Sequence, residues 1–101
     1  MYAAIRQYQA PANSADRLAA RAKDIEAQMN RAPGLIAYFM VRTPEGIITV
    51  TACDNKQGAE ESTKLASNWV RDNMPDVLPN PPKVTVGEVA ISTFGQSRVG
   101  R

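Results

Sequence analysis

The N-terminal third of the chain pairs a short apolar segment with a longer amphipathic one. Tyr2–Tyr8 has the length and the aromatic and branched content of a β-strand, and a cluster of turn-forming residues follows it. Apolar residues then recur at steps of four, three and four, at Leu18, Ala22, Ile25 and Met29. This stripe predicts an amphipathic helix over residues 14–31, which Asn13 or Ser14 can cap and which Pro33-Gly34 ends.

The middle of the chain predicts a β-hairpin. Two runs rich in branched and aromatic residues, Leu35–Arg42 and Ile47–Cys53, are separated by the Pro- and Gly-containing turn 43–46. Strands of seven or eight residues joined by such a turn are typical of antiparallel neighbours.

The last third predicts a second helix, an irregular connection and a final strand. Asp54 or Asn55 can cap a helix over residues 58–73. The residues of this helix that face inward are Leu65, Ala66, Trp69 and Val70. Three prolines make 77–83 irregular, and 84–91 has the branched pattern of a strand.

The resulting order, βαββαβ, predicts an α+β, ferredoxin-like fold. In this fold a four-stranded antiparallel sheet carries both helices on one face. We assign residues 1–93 to this single domain and residues 94–101, which have few apolar side chains, to a loose C-terminal tail.

The predicted strands are apolar on both faces. In the second strand, Leu35, Ala37, Phe39 and Val41 share one face, and Ile36, Tyr38 and Met40 share the other. Two helices can cover only one face of the sheet, so the other face needs a further layer. We therefore expect an obligate homodimer in which two sheets pack face to face as a dimeric α/β barrel. A monomer with an apolar outer face is the alternative.

Composition excludes several kinds of chemistry. Apolar residues make up 44% of the 101 residues, but 15 of them are alanines, so few large side chains are available for a core. The chain has no histidine and one cysteine, which removes His-ligated metal sites, Ser-His-Asp triads, cysteine clusters and internal disulfides. We expect no metal and no cofactor.

Charge and hydropathy argue against nucleic-acid and membrane partners. The net charge is only +2 and the basic residues are scattered, which argues against nucleic acid. No apolar run approaches the roughly 20 residues of a membrane span, and the N-terminus lacks a signal-peptide pattern. We expect a soluble, cytoplasmic protein whose partners are a second copy of itself and a small aromatic ligand, with no membrane partner.

Several segments together resemble a known family. They are the opening MYAAIRQY, the YF pair of the hairpin, Gly58–Ser62, Asn68–Asn73, Leu78-Pro79 and Val84–Val89. Over residues 1–92 the chain is similar to the small stand-alone proteins of the antibiotic-biosynthesis-monooxygenase-like group, in the dimeric α/β-barrel superfamily. The resemblance implies cofactor-independent oxygenation of aromatic or quinol-type substrates, or oxidative heme degradation.

The heme-degrading branch can be tested residue by residue. As the resemblance implies it, those proteins use an Asn on the first strand, a Trp on the second helix and a His shortly after that helix. Trp69 matches in element, but the first strand offers Arg6 and Gln7, and there is no histidine. We therefore expect no heme chemistry.

Four residues are candidates for substrate binding: Trp69, Tyr38, Asn68 and Arg6. Trp69 can stack on a planar ligand or simply fill the core, and Tyr38 can donate a proton to a quinone-like substrate or lie at the dimer seam. Asn68 can orient a carbonyl or be solvated. Arg6, if buried, needs a carboxylate, for which Glu88 is not assured since the first and last strands are expected on opposite sides of the sheet. The other subunit of the dimer could supply that carboxylate, and the simpler alternative is an edge residue that reaches water.

Three functions stay open. The first is a cofactor-independent monooxygenase acting on a small aromatic or quinol-type substrate. The alternatives are a non-catalytic binding module for a small apolar ligand and a structural or interaction protein with no open cavity. Cavity volume separates them, because a space near Trp69 too small for a bicyclic ring would exclude the first two. Cys53 is not a nucleophile candidate, because Asp54 beside it raises a thiol pKa.

Overall fold

The computed structural model describes residues 1–95, which form a four-stranded antiparallel sheet with helices on one face. The elements in chain order are β1 (Tyr2–Gln9), α1 (Ser14–Ala19), α2 (Ala22–Met29), β2 (Leu35–Thr43), β3 (Gly46–Cys53), α3 (Lys56–Asn73) and β4 (Lys83–Glu88). The predicted α+β, ferredoxin-like fold is confirmed. Of the predicted tail, residues 96–101 lie outside the described residues.

The strands lie in the order β2-β3-β1-β4. β1 is therefore central and pairs with both β3 and β4, so the expectation that the first and last strands lie apart was wrong. In the register Arg6 is opposite Val84, and Glu88 is opposite Tyr2. Glu88 thus lies four residue pairs from Arg6 on the same face and is exposed.

The first predicted helix is two helices, which makes three in all rather than two. The chain leaves helical geometry at Arg21 (φ −111°, ψ 26°), and Ala22, predicted in the apolar stripe, is exposed. Alanine favours helix, so propensity does not explain the break. The Arg21 guanidinium instead pairs with Asp24 and lies 5.3 Å from the centre of the Trp69 ring on α3. The break thus accompanies a tertiary contact.

The helix caps also differ between α1 and α3. At the start of α3, the Asn55 side chain accepts a hydrogen bond from the Gly58 amide at 2.9 Å, as predicted. At the start of α1 neither candidate caps: Asn13 makes no side-chain cap, and the Ser14 hydroxyl donates to the Val77 carbonyl at 2.8 Å. Ser14 thereby ties α1 to the connection before β4.

A β-bulge changes which residues of β2 face the helices. The register shifts between Leu35 and Ala37, so Leu35 lies opposite Cys53 and packs against the core while Ile36 is exposed. Strict alternation had predicted the reverse for these two positions, since it cannot anticipate an extra residue in the strand. From Ala37 onward the predicted faces hold, with Tyr38 and Met40 beneath the helices and Phe39 and Val41 on the outer face.

The core lies between the sheet and the helices. Its buried apolar residues include Leu18, Ile25, Met29, Ile47, Leu65, Trp69 and Val77. The outer face of the sheet has no layer of its own chain over it, and Ile5, Phe39 and Val41 are exposed there by 37%, 59% and 46%. β4 ends at Glu88 rather than Ile91, which is 89% exposed beyond the strand.

Candidate functional site

An open cleft lies where the broken helix crosses β2. It has a volume of about 260 Å³ and is lined by Ala15, Leu18, Ala19, Ala22, Ile25, Glu26, Tyr38, Met40 and Arg42. Three of these are alanines of α1 and α2, which leave space over the sheet that larger side chains would fill. Tyr38 and Met40 project from β2 into this space. We call it the Tyr38 cleft.

The space directly beside Trp69 is much smaller. An enclosed cavity of about 30 Å³ lies among residues of α2, α3 and the sheet, including Trp69, Tyr38, Tyr8 and Thr49. That volume suits a water molecule and not a bicyclic ring. In addition, the Arg21 guanidinium lies over the Trp69 ring. Trp69, which is 7% exposed, therefore fills the core here, and the predicted stacking of a ligand on it was wrong. The volume test set from the sequence thus excludes a monooxygenase or binding site beside Trp69 itself, and it leaves the Tyr38 cleft as the space where such a ligand could lie.

Tyr38 belongs to both spaces and separates them. It lines the Tyr38 cleft on one side and the small cavity on the other, together with Leu18, Ile25 and Met40. Burial raises the pKa of Tyr38 to about 12. The charge of the nearby Arg6 lowers this pKa, and Tyr8 adds a smaller increase. Its phenol is therefore protonated at neutral pH and is a hydrogen-bond donor, not a base.

Arg6 is fully buried on the helix side of β1 and is held by four hydroxyls. Its Nε donates to Thr49 Oγ1 at 2.9 Å, and Nη2 donates to Thr51 Oγ1 at 2.6 Å. Its Nη1 donates to Ser62 Oγ at 3.1 Å and to Thr63 Oγ1 at 3.0 Å. Hydroxyls of β3 and α3 thus converge on one guanidinium of β1, and we call these four residues the hydroxyl cradle.

The cradle satisfies the donors of Arg6 without neutralising its charge. Within residues 1–95 no carboxylate pairs with Arg6, and its placement at a water-exposed edge was wrong because the side chain is fully buried. A carboxylate supplied by a second subunit stays a prediction. Burial lowers the pKa of Arg6 from its ordinary value, and Tyr8, Tyr38 and Cys53 oppose that shift. A positive charge buried without a counter-ion makes this region favourable for an anion.

The structure brings three of the four predicted site residues into one region. Tyr38 and Trp69 line the same small cavity, and Thr49 connects that cavity to Arg6. Asn68 is half-buried on α3 and lines neither the cavity nor the Tyr38 cleft. Burial and Asp54 both raise the pKa of Cys53, which agrees with its exclusion as a nucleophile.

The cradle hydroxyls were missed by sequence reasoning. Thr49 and Thr51 alternate along β3 on the same face as Ile47 and Cys53, where an apolar side chain would be expected in a buried strand. Thr49 lies directly opposite Arg6 in the register. A period-two pair of threonines facing a strand arginine was the available signal.

Two general features of the described residues bear on function. No helix within residues 1–95 is long and apolar enough to cross a membrane. In the same part of the chain, no group of three or more His, Cys, Asp or Glu side chains is arranged to hold a metal ion.

Solved structures share this fold over nearly the whole chain. The heme degrader MhuD from Mycobacterium tuberculosis, solved with two hemes in its active site, matches with a TM-score of 0.69 at 14% identity, over 93% of this chain and 100% of that one. A proposed antibiotic biosynthesis monooxygenase from Nitrosomonas europaea matches with a TM-score of 0.69 at 17% identity, over 90% and 100%. Neither a protein-family model nor a curated protein sequence matches the chain.

A third structure supports the same conclusion about the fold. A proposed antibiotic biosynthesis monooxygenase from Bordetella bronchiseptica matches with a TM-score of 0.68 at 17% identity, over 89% of this chain and 97% of that one. The ferredoxin-like fold of the single chain, which the sequence resemblance implies, is thereby confirmed. Fold alone does not carry an activity across at such identities.

The residues present do not fit a heme group. The sequence has no histidine to bind the iron, and the side chains of the Tyr38 cleft that could approach a metal are the thioether of Met40, the phenol of Tyr38 and the carboxylate of Glu26. That phenol has a pKa of about 12, so it is a poor source of a phenolate ligand. The likeness to MhuD is one of fold, and no step through heme is derived for this chain.

Proposed function

We propose that this chain is a small monooxygenase that needs no cofactor and acts on an aromatic or quinol-type substrate in the Tyr38 cleft. The observation that carries the proposal is an apolar cleft of about 260 Å³ with a protonated phenol at its floor. This volume lies just below the roughly 300–1,000 Å³ of sites for drug-sized ligands, so it suits a ring system of one or two rings. The fold shared with monooxygenase-like proteins is consistent with the assignment.

The substrate would supply the reducing power. A ring CH₂ beside a carbonyl loses one proton to form an electron-rich enolate, which adds O₂ to give a hydroperoxide after protonation. Loss of water then leaves a carbonyl at the same carbon, so one oxygen atom is kept and the other leaves as water. Both electron pairs come from the two C–H bonds of the substrate, and no external reductant is needed.

The cleft residues have defined parts in this proposal. Tyr38 donates a hydrogen bond to the enolate oxygen, which stabilises the anion. Glu26 is the carboxylate that lines the cleft and is the group available to accept the substrate proton. Leu18, Ile25 and Met40 supply the apolar walls. Arg42 lies at the rim and forms an ion pair with Asp16 of α1.

A second copy of the chain is the proposed partner. The outer sheet face exposes Ile5, Phe39 and Val41, and α1, α2 and α3 all lie on the opposite face. Packing of two such faces would bury these side chains and would complete the dimeric α/β barrel that the resemblance implies.

A non-catalytic binding module is the second candidate, and one observation favours it. Side chains of the protein leave only about 30 Å³ open beside Trp69, so Trp69 does not reach a ligand in the Tyr38 cleft. Among the described residues, the groups lining that cleft to which we assign a part in catalysis are Tyr38 and Glu26. Such a protein would bind the same ring systems without consuming oxygen.

Oxygen uptake with a panel of quinols and of one- and two-ring ketones that carry a ring CH₂ beside the carbonyl tests the proposal. The wild-type protein should consume O₂ in proportion to substrate, and Tyr38→Phe should lower kcat by about tenfold or more, because the donor to the developing anion is lost. Tyr2→Phe is the matched control, since Tyr2 lines neither the cleft nor the cavity. Substrate binding without O₂ uptake would replace the monooxygenase with the binding module, and absence of both would reject both.

A further inference from the structure

A second and larger cleft lies beside α3 and shares no lining residue with the Tyr38 cleft. It has a volume of about 520 Å³, between α3, the proline-containing segment 75–82 and the start of β4. Its apolar wall is formed by Val70, Leu78, Pro79, Pro81, Pro82 and Val84. On α3 it is lined by positions 63, 67, 70 and 71, whereas the space beside Trp69 is lined by positions 66, 69 and 70. We call it the proline cleft.

The inner end of the proline cleft is connected to the buried charge. Thr63 lines the cleft, and its Oγ1 accepts a hydrogen bond from Arg6 Nη1 at 3.0 Å. A hydroxyl whose oxygen accepts from a guanidinium still has its own O–H to donate. Within residues 1–95 the Ser62 hydroxyl donates its own hydrogen bond to the Ala59 carbonyl at 2.6 Å, whereas the Thr63 hydroxyl donates to no protein acceptor there. The Thr63 O–H is therefore available to a ligand.

The charge behind Thr63 selects the kind of ligand. Arg6 is fully buried and has no carboxylate partner, so its charge is only weakly screened by solvent. A negative group in hydrogen-bond contact with Thr63 would lie one hydroxyl away from the guanidinium and would supply the missing counter-charge. Hydrogen bonds to an ionised acceptor are also stronger than those to a neutral one.

We propose that the proline cleft binds a small organic acid as its monoanion. The carboxylate accepts hydrogen bonds from the hydroxyls of Thr63 and Ser67, and the apolar body lies against the proline wall. Arg71 is at the exposed rim, where it pairs with Asp72. The cleft thus offers the hydroxyl donors of Thr63 and Ser67 and one cation, Arg71, at its rim. This set suits a single negative charge better than a phosphate dianion.

Binding of 2-naphthoate, followed by amide chemical shifts and calorimetry, tests the proposal. The acid should shift the amides of Thr63, Ser67 and Leu78 and saturate, while neutral 2-naphthamide should bind about tenfold or more weakly. The two ligands share the same bicyclic body, so their difference reports the charge. Equal affinities would overturn the proposal, as would absence of binding of the acid at millimolar concentration.

Three variants locate the recognition. Thr63→Val keeps the shape and removes the hydroxyl, so it should weaken 2-naphthoate about tenfold to a hundredfold and leave 2-naphthamide unchanged. Thr63→Ser restores a hydroxyl and should recover most of the affinity. Thr85→Val is the matched control, because Thr85 lies opposite Ile5 and outside the lining of this cleft. The melting temperature of each variant confirms that it is folded.

Arg71→Ala separates the buried charge from the rim. If Arg71 alone attracts the acid, this variant loses the affinity, Thr63→Val keeps it, and the proposal is wrong. The result is also independent of the monooxygenase proposal, since the two clefts share no lining residue. Shifts confined to Tyr38 and Met40 would place the acid in the Tyr38 cleft and would overturn the assignment to the proline cleft.

Discussion

Arg6 shows how a buried charge can be held by neutral groups. Four hydroxyls from β3 and α3 accept its N–H groups at 2.6 to 3.1 Å, so the desolvation of the cation is partly offset without an ion pair. A planar guanidinium with five donors suits this arrangement, and a lysine ammonium with three donors does not. The residue type is therefore part of the structure of the cradle.

Arg6→Lys should destabilise the protein by about 2–4 kcal/mol, because several buried hydroxyls lose their partner while a charge stays buried. The matched control is Arg71→Lys at an exposed position, which should change the free energy of unfolding by less than about 0.5 kcal/mol. Urea unfolding of the three proteins measures both values. A loss below about 1 kcal/mol for Arg6→Lys would contradict a guanidinium-specific cradle.

At the scale of the element, the broken helix creates the Tyr38 cleft. The alanines of α1 and α2 bury little area and leave space above β2, and Arg21 turns toward Trp69 at the break. A continuous amphipathic helix with a larger residue at these positions would close the cleft. The same small side chains that made the core look thin in the sequence thus provide the opening.

Ala22→Leu should fill the Tyr38 cleft and lower substrate affinity by about tenfold or more, with little effect on stability, because leucine is a good helix former and Ala22 is exposed. Ala27→Leu is the matched control, as it is exposed on the same helix and lies outside the cleft. Calorimetric titration with the best quinol from the oxygen-uptake panel gives the two affinities. Equal losses in both variants would mean that the ligand binds elsewhere.

At the scale of the whole molecule, the sheet divides the protein into a covered and an uncovered side. The helices lie over one face, and the opposite face exposes Phe39 at 59% and Val41 at 46% on the edge strand β2. Because the cleft and the proposed dimer contact use opposite sides of the same strands, β2 connects the two functions. A substitution on the outer face should therefore change the mass of the assembly more than it changes ligand affinity in the Tyr38 cleft.

Phe39→Glu should convert a dimer to a single chain of 11.0 kDa at micromolar concentration, because it places a charge at the most exposed large apolar side chain of the sheet face. Light scattering after gel filtration gives the mass. Phe94→Glu is the matched control, since Phe94 is 73% exposed and lies outside the sheet. A wild-type mass equal to one chain would exclude the dimer outright.

Much of the fold, and less of the site, was predictable from local patterns. The hairpin, α3 with its Asn55 cap and the irregular proline segment agree with the prediction to within a few residues. Tyr38 and Arg6 were both predicted as site residues. Arg6 was expected to pair with a carboxylate, whereas its partners in the structure are four hydroxyls. Asn68 lines neither the Tyr38 cleft nor the small cavity. Trp69 lies on the inward stripe of α3 as predicted but packs in the core, because a position on a helix stripe does not distinguish a ligand contact from core packing.

The sequence by itself determined the order of the elements, the positions of the turns and the absence of imidazole chemistry, because these depend on neighbouring residues or on composition alone. Only the tertiary structure decided the helix break, the bulge at Ile36 and the hydroxyl cradle. The partners of Arg6 lie 43 to 57 residues away along the chain, on a strand and a helix whose approach depends on the whole sheet. A buried charge and the cleft beside it therefore exist only once the chain has folded.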